Sequence, residues 1–184
     1  ASLYRLRRAR LEKQGDEEAL FRLDRDWMEQ LEHPGPLFRL LRARLEKKGD
    51  ERALYRHNRD WLEQFGRPEQ VYRLDRAWLK KTADKEAVYR LDREWLQKNG
   101  EEDKLYKLDR QWYADLGDAE KVYRLDRDFL LKRKAPAVEL YELERSRLKD
   151  CRDFDRLYLL EKKWLSEHGG SADALYRAEE RWLS

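Results

Sequence analysis

One cysteine, one methionine and three histidines in 184 residues leave little reactive chemistry to place. Cys151 stands alone, so no disulfide can close within the chain, and a reducing compartment, the cytoplasm, is expected. His33, His57 and His168 share no metal-ligand spacing, and a single cysteine cannot build a zinc site, so neither a metal nor a cofactor is expected. Hydroxyls are as scarce (Ser2, Thr82, Ser146, Ser166, Ser171, Ser184). None sits in a nucleophile elbow, and no glycine-rich loop resembles a phosphate cradle. The chain is expected not to be an enzyme. There is no apolar h-region and no run of 18 apolar residues, so neither a signal peptide nor a membrane span is expected. Excess charge of one sign is missing too: 42 Lys and Arg nearly balance 39 Asp and Glu, leaving +3. No global field therefore draws the chain to nucleic acid or a membrane surface. A sequence opening on Ala1 rather than Met reads as a processed product, a fragment or an engineered chain.

What is present is a repeat. Charged residues make up 44% and aromatics 12%, too many rings for a disordered chain. The rings fall in register with a period of 17. Units begin at Leu3, Leu20, Leu37, Leu54, Val71, Val88, Leu105 and Val122, then, after one-residue insertions, at Leu140, Leu157 and Leu175. Position 2 is Tyr or Phe in every unit. Position 8 collects all seven tryptophans (Trp27, Trp61, Trp78, Trp95, Trp112, Trp164, Trp182), with Phe129 as a stand-in. Self-similarity at a short fixed period marks a solenoid, here a single helical-repeat domain over residues 1–184.

Every glycine and proline lies in positions 13 to 17, so the twelve residues before that zone carry no helix breaker. Gly15-Asp16, Gly49-Asp50 and Gly117-Asp118 read as a C′ glycine followed by the next N-cap. Pro68 and Pro136 suit a first helical turn. Each unit is then one helix of about 13 residues, roughly 20 Å long. Short connections force successive helices antiparallel. At about 100° per residue, positions 4, 8, 1, 12, 5, 9 and 2 share one inward arc, broad enough for a helix flanked on both sides. Cys151, at position 12 with Leu31, Phe65 and Leu116, is expected to be a small buried filler, and His57, at position 4, a satisfied core histidine.

Two such helices make a 34-residue hairpin. The stretch Leu11-Glu-Lys-Gln-Gly-Asp-Glu-Glu-Ala-Leu20, echoed from Leu45 to Leu54, resembles the inter-helix turn of the tetratricopeptide repeat. The motif-level match covers the first 70 residues. Arg8 and Arg42 stand near the place where that family has a small residue. The resemblance implies a scaffold that binds peptides or proteins.

Two polar columns remain. Position 5 lies amid the apolar arc yet carries Asp24, Asp75, Asp92, Asp109, Asp126, Glu144, Glu161 and Glu179. A carboxylate there needs a partner, so each is expected to contact an Arg, a Tyr hydroxyl or a Trp N–H of a neighbouring helix. A feature that propagates along the repeat reads as register-setting structure rather than as acid–base catalysis. Asp24, Asp75, Asp92, Asp109 and Asp126, with Trp27, Trp61, Trp78, Trp95 and Trp112, are the expected inter-repeat residues. Position 3 points outward and holds Arg5, Arg22, Arg39, Arg56, Arg73 and Arg90; with Arg10 and Arg44 on a common face, these are the candidate partner-binding residues. Intrahelical ion pairs with acids at positions 7 and 10 are expected to occupy much of this face.

The expected architecture is an all-α, elongated two-layer α-solenoid of about eleven short antiparallel helices. It is expected to serve as a non-enzymatic scaffold for protein–protein interaction or self-assembly. Leu3-Tyr4 and Trp182-Leu183 keep the core pattern to the ends instead of forming polar caps, so a protein partner, another copy or further chain beyond this sequence is expected to cover them. A nucleic-acid-binding repeat using the outward arginines, and an engineered repeat protein, are the alternatives. Irregularities at Leu41, His57, Lys134 and Leu159 resemble drift more than design.

Overall fold

The computed structural model describes residues 2–183, the side chains of Ala172, Leu175, Arg181 and Leu183 excepted. The Leu175 and Leu183 side chains of the eleventh unit, and the outermost residues Ala1 and Ser184, therefore lie outside the described residues. Helices α1 (Ser2–Gln14), α2 (Glu17–Gln30), α3 (Pro34–Lys48), α4 (Glu51–Gln64), α5 (Pro68–Lys81), α6 (Lys85–Lys98), α7 (Glu102–Asp115), α8 (Ala119–Lys132), α9 (Ala137–Asp150), α10 (Phe154–Glu167) and α11 (Ala172–Leu183) follow one another. There is no strand among the described residues.

Helices α1 to α10 end in the same way. A residue at the C-cap (Gly49 in α3) or just past it adopts a left-handed conformation, and the amide beyond it reaches back to the carbonyl five residues earlier, as Asp16 does to Leu11 and Arg67 to Leu62. This is the Schellman closure, which satisfies carbonyls that the helix leaves open. Glycine occupies the left-handed site at Gly15, Gly49, Gly66, Gly100, Gly117 and Gly169. Glu32, Ala83, Lys134 and Arg152 adopt it with φ of 52° to 57°. Where the residue before it is Asp, the next helix starts on a side-chain cap. Asp16, Asp50, Asp118 and Asp153 accept from Ala19, Ala53, Lys121 and Arg156, and Asp84 accepts from Ala87. Pro68 opens α5, whereas Pro136 is the N-cap of α9, one residue ahead of its expected place in the first turn.

The chain divides into two compact units, one ending at Leu91 and the other beginning at Asp92. In the first, α1 packs on α2, α2 on α3, α3 on α4 and α4 on α5; in the second, α7 packs on α8, α8 on α9, α9 on α10 and α10 on α11. Among the described residues of each unit no backbone contact skips a helix. Such sequential packing is that of an α-solenoid, and it makes a thin core. The only buried apolar side chains among the described residues are Leu148 and Ala178, and the carboxylates Asp24, Asp92, Asp109 and Glu161 are buried nearly as deeply.

Position 12 departs from its expected place. Leu31, Phe65, Leu116 and Cys151 are all exposed, Leu116 at 62%. These residues are the C-caps of α2, α4, α7 and α9, so their side chains project past the last turn rather than onto the neighbouring helix. The thiol of Cys151 is therefore not core filler.

Candidate functional site

The recurring polar feature is a clamp between consecutive helices. At the α1–α2 joint, Tyr4 donates its hydroxyl to Asp24 Oδ1 at 2.7 Å and Arg8 donates Nε–H to the same oxygen at 3.2 Å. The Tyr4 ring stacks on Trp27 with centroids 4.6 Å apart. The α4–α5 joint repeats this with Tyr55, Arg59, Asp75 and Trp78, the hydroxyl bond at 2.8 Å and the stack at 4.7 Å. The α7–α8 joint repeats it with Tyr106, Arg110, Asp126 and Phe129. Arg93 on Asp109 and Arg145 on Glu161, and the Tyr141–Trp164 stack, supply the same parts elsewhere. Positions 2 and 6 of one helix thus grip positions 5 and 8 of the next. The helical geometry explains the choice, since residues three or four apart share a face.

Where the acid is absent, its hydroxyl partner is absent too. Leu41 and Asn58 replace the acid at position 5 of α3 and α4. The preceding position-2 residues are Phe21 and Phe38, which have no hydroxyl to satisfy. Arg25, deprived of a position-5 acid, turns to Asp26 at 2.7 Å and Glu29 at 3.7 Å on its own helix. Phe38 instead stacks on both Trp61 and His57, and His57 Nε2 lies 3.1 Å from the Phe38 carbonyl. The α10–α11 joint also differs. Position 4 is the small, buried Ala178, and Glu179 beside it is exposed.

Burial and the hydrogen bond to Asp75 push the Tyr55 hydroxyl up to about 12, and the same causes raise Tyr4, Tyr106 and Tyr123. The hydroxyl is held as a neutral donor to an ionised acceptor.

The chain matches no family model, no curated protein and no solved structure.

The structure puts Trp27, Trp61 and Trp78 half-buried on Tyr4, Phe38 and Tyr55, and Trp95 and Trp112 are half-buried as well. The outward arginines split into two sets. Arg22, Arg73 and Arg90 pair with Glu18, Glu69 and Glu86 one turn earlier, not with Asp26 and Glu94 four residues after Arg22 and Arg90, and Ala77 stands at that place after Arg73. Arg5, Arg39 and Arg56 are exposed, and no ion pair engages them among the described residues. The reason is local. Gly35 and Arg52 stand where an acid would have to sit before Arg39 and Arg56. Position 6 does pair with position 10, as in Arg8–Glu12, Arg42–Glu46 and Arg59–Glu63. Arg44 is not open to an acidic partner. It stands at position 8, lies 3.9 Å from the Phe21 ring centroid and pairs with Glu18. Arg147 does the same in α9, 4.3 Å from the Tyr123 centroid and 3.0 Å from Glu120. Arg10 is exposed.

Among the described residues no three His, Cys, Asp or Glu side chains gather as a metal-holding group. No helix among them is long and apolar enough to cross a membrane. The grooves are open and shallow. The one lined by Arg110, Glu120, Tyr123, Ser146, Arg147 and Cys151 has a volume of about 600 Å³, and its polar groups are largely those of the clamp.

Proposed function

We propose that this chain is a non-catalytic helical-repeat scaffold that engages protein, with its outermost described helices as the engaging surfaces. The observation that carries the reading is where core-pattern residues meet water. Position 4 is half-buried or buried in α2 to α11, yet Leu6 of α1 is 71% exposed. Position 2 is half-buried in α1 to α10, yet Tyr176 of α11 is 66% exposed. In the other described helices these two columns are covered by a neighbouring helix, so the Leu6 and Tyr176 faces have the composition of surfaces that another helix covers. Asp24, Asp75, Asp109, Asp126, Glu144 and Glu161, the carboxylates that would otherwise raise the question of acid–base chemistry, each accept a hydrogen bond from the preceding helix. Proteins that bind through a tetratricopeptide-like hairpin array offer a parallel for the use of such a shape, and the turns at Gly15 and Gly49 support it.

The test is photo-crosslinking from positions 6 and 176, compared with position 56 on the outward face, in extract of the native host. Protein adducts concentrated at positions 6 and 176 support the reading. Equal yields at all three positions, or no adducts, overturn it. A second reading is favoured by the unpaired Arg5, Arg39 and Arg56, which could follow a phosphodiester backbone. It predicts filter retention of nucleic acid that falls as salt rises, and flat, salt-independent retention dismisses it.

A further inference from the structure

The open faces of α1 and α11 are not merely apolar. They carry the clamp columns with their charges reversed. Position 6 is Arg or Lys in ten of eleven units, and the exception is Glu180 in α11. Position 5 is a cation in one unit only, Arg7 in α1. Inside the chain, position 6 of one helix meets position 5 of the next, as Arg8 meets Asp24 and Arg59 meets Asp75. A helix laid after α11 in that register must therefore offer a cation to Glu180, and one laid before α1 must offer an acid to Arg7.

The aromatic half of the clamp agrees. Position 8 of α1 is Arg10. In α3 and α9 the position-8 residue is also arginine, and in both it lies over the preceding position-2 ring, Arg44 on Phe21 and Arg147 on Tyr123. Each of these arginines also pairs with the acid two residues before position 1 of the preceding helix, Glu18 or Glu120. Those acids hold a second arginine from their own helix, Arg22 at 3.5 Å and Arg124 at 3.1 Å. In α11 the equivalent acid is Asp173, already paired with its own Arg177 at 3.1 Å. Asp173, Tyr176 and Glu180 follow helical spacing along one face of α11, as Leu3, Leu6, Arg7 and Arg10 do along one face of α1.

We propose that the chain binds a second copy of itself head to tail, the Asp173–Tyr176–Glu180 face of α11 seating on the Leu6–Arg7–Arg10 face of α1. Glu180 pairs with Arg7, and Arg10 lies over Tyr176 and closes on Asp173. The inference rests on the scaffold reading and names its partner. The reversed signs also set the register. Arg7 opposite a position-6 cation of any other helix would repel, so the array avoids slipped pairings between its many similar faces. The contact is heterologous, and copies can add in series.

Sedimentation velocity on the full chain from micromolar to near-millimolar concentration tests this. The weight-average mass is expected to rise with concentration. Glu180→Arg and Arg7→Glu, both at exposed positions, should each weaken association by about tenfold or more, with circular dichroism confirming that the helices remain. An equimolar mixture of the two single variants should regain association and add in alternation, because both joints between unlike copies bring opposite charges together, whereas joints between like copies do not. A wild-type mass that stays monomeric throughout overturns the proposal, as does association indifferent to both reversals. If the mass stays monomeric while positions 6 and 176 still crosslink to a different protein, the scaffold reading stands and the self-pairing falls.

Discussion

A buried carboxylate is tolerated in this chain because two donors on the preceding helix converge on it. Its removal should therefore cost less when its donor goes with it. The molecule already holds the comparison, since Phe21 and Leu41 occupy at the α2–α3 joint the positions that Tyr55 and Asp75 occupy at the α4–α5 joint. Asp75→Leu alone should destabilise by about 1.5 to 3 kcal/mol, leaving the Tyr55 hydroxyl and Arg59 without their acceptor. Adding Tyr55→Phe should recover about 1 kcal/mol of that loss, read as a coupling in a chemical-denaturation double-mutant cycle. A coupling near zero would show that the hydrogen bond contributes nothing to the joint. The same tyrosine sets an alkaline limit. Its hydroxyl is held at about 12 against an ordinary value of 10.0, so the folded state keeps a proton that the unfolded chain gives up. Stability from this source is complete below pH 10 and is lost as pH rises from 10 to 12. Thermal melts across that window should show a falling midpoint, and Tyr55→Phe should flatten part of the fall. The inward lean of the position-5 acids was legible from a helical wheel. Which neighbouring column they meet was not, because a wheel describes one helix and carries no inter-helix register. The signal existed nonetheless, as every Tyr at position 2 with a following unit precedes an acid at that unit's position 5, and both Phe precede a non-acid.

At the scale of the element, the helix limits were written plainly by the Gly-Asp pairs, where a left-handed residue hands over to an N-cap. Four of the turns hid theirs. Glu32, Ala83, Lys134 and Arg152 take the left-handed conformation without being glycine, and hydrogen bonds identical to those of the glycine turns hold them there. Each such residue costs about 1 kcal/mol or more relative to glycine. Ala83→Gly and Lys134→Gly should each stabilise the fold by about 0.5 to 1 kcal/mol, and Gly66→Ala should destabilise it by a similar amount, all read from denaturation midpoints. An Ala83→Gly variant no more stable than the parent would place the strain elsewhere. The misjudged burial of Cys151, Leu31, Phe65 and Leu116 has the same origin. A wheel angle has meaning only while the helix continues, and these residues are where it stops.

For the whole molecule, the controlling fact is that within each unit a helix touches only the helices before and after it. Stability is then close to a sum of joints between neighbours, and damage at one joint spreads no further than cooperativity carries it. Trp61 makes the α3–α4 joint by stacking on Phe38 at 4.4 Å and also meets Phe65 at 4.3 Å. Trp61→Ala should cost that joint about 2 to 4 kcal/mol. Hydrogen exchange should then quicken in α3 and α4 while the amides of α9 and α10 keep their protection. Ring absorbance and helix circular dichroism should lose coincidence during unfolding, since a probe of one joint no longer reports on the others. A uniform rise in exchange across all helices would instead mean that the repeats melt as a single body, and the additive description would fail. In the unaltered chain α1, held on one face only, should exchange ahead of α2. Concentrating the protein should slow α1 and α11 together without touching the helices between them, because the same joint that binds neighbours inside the chain then closes over both outer faces.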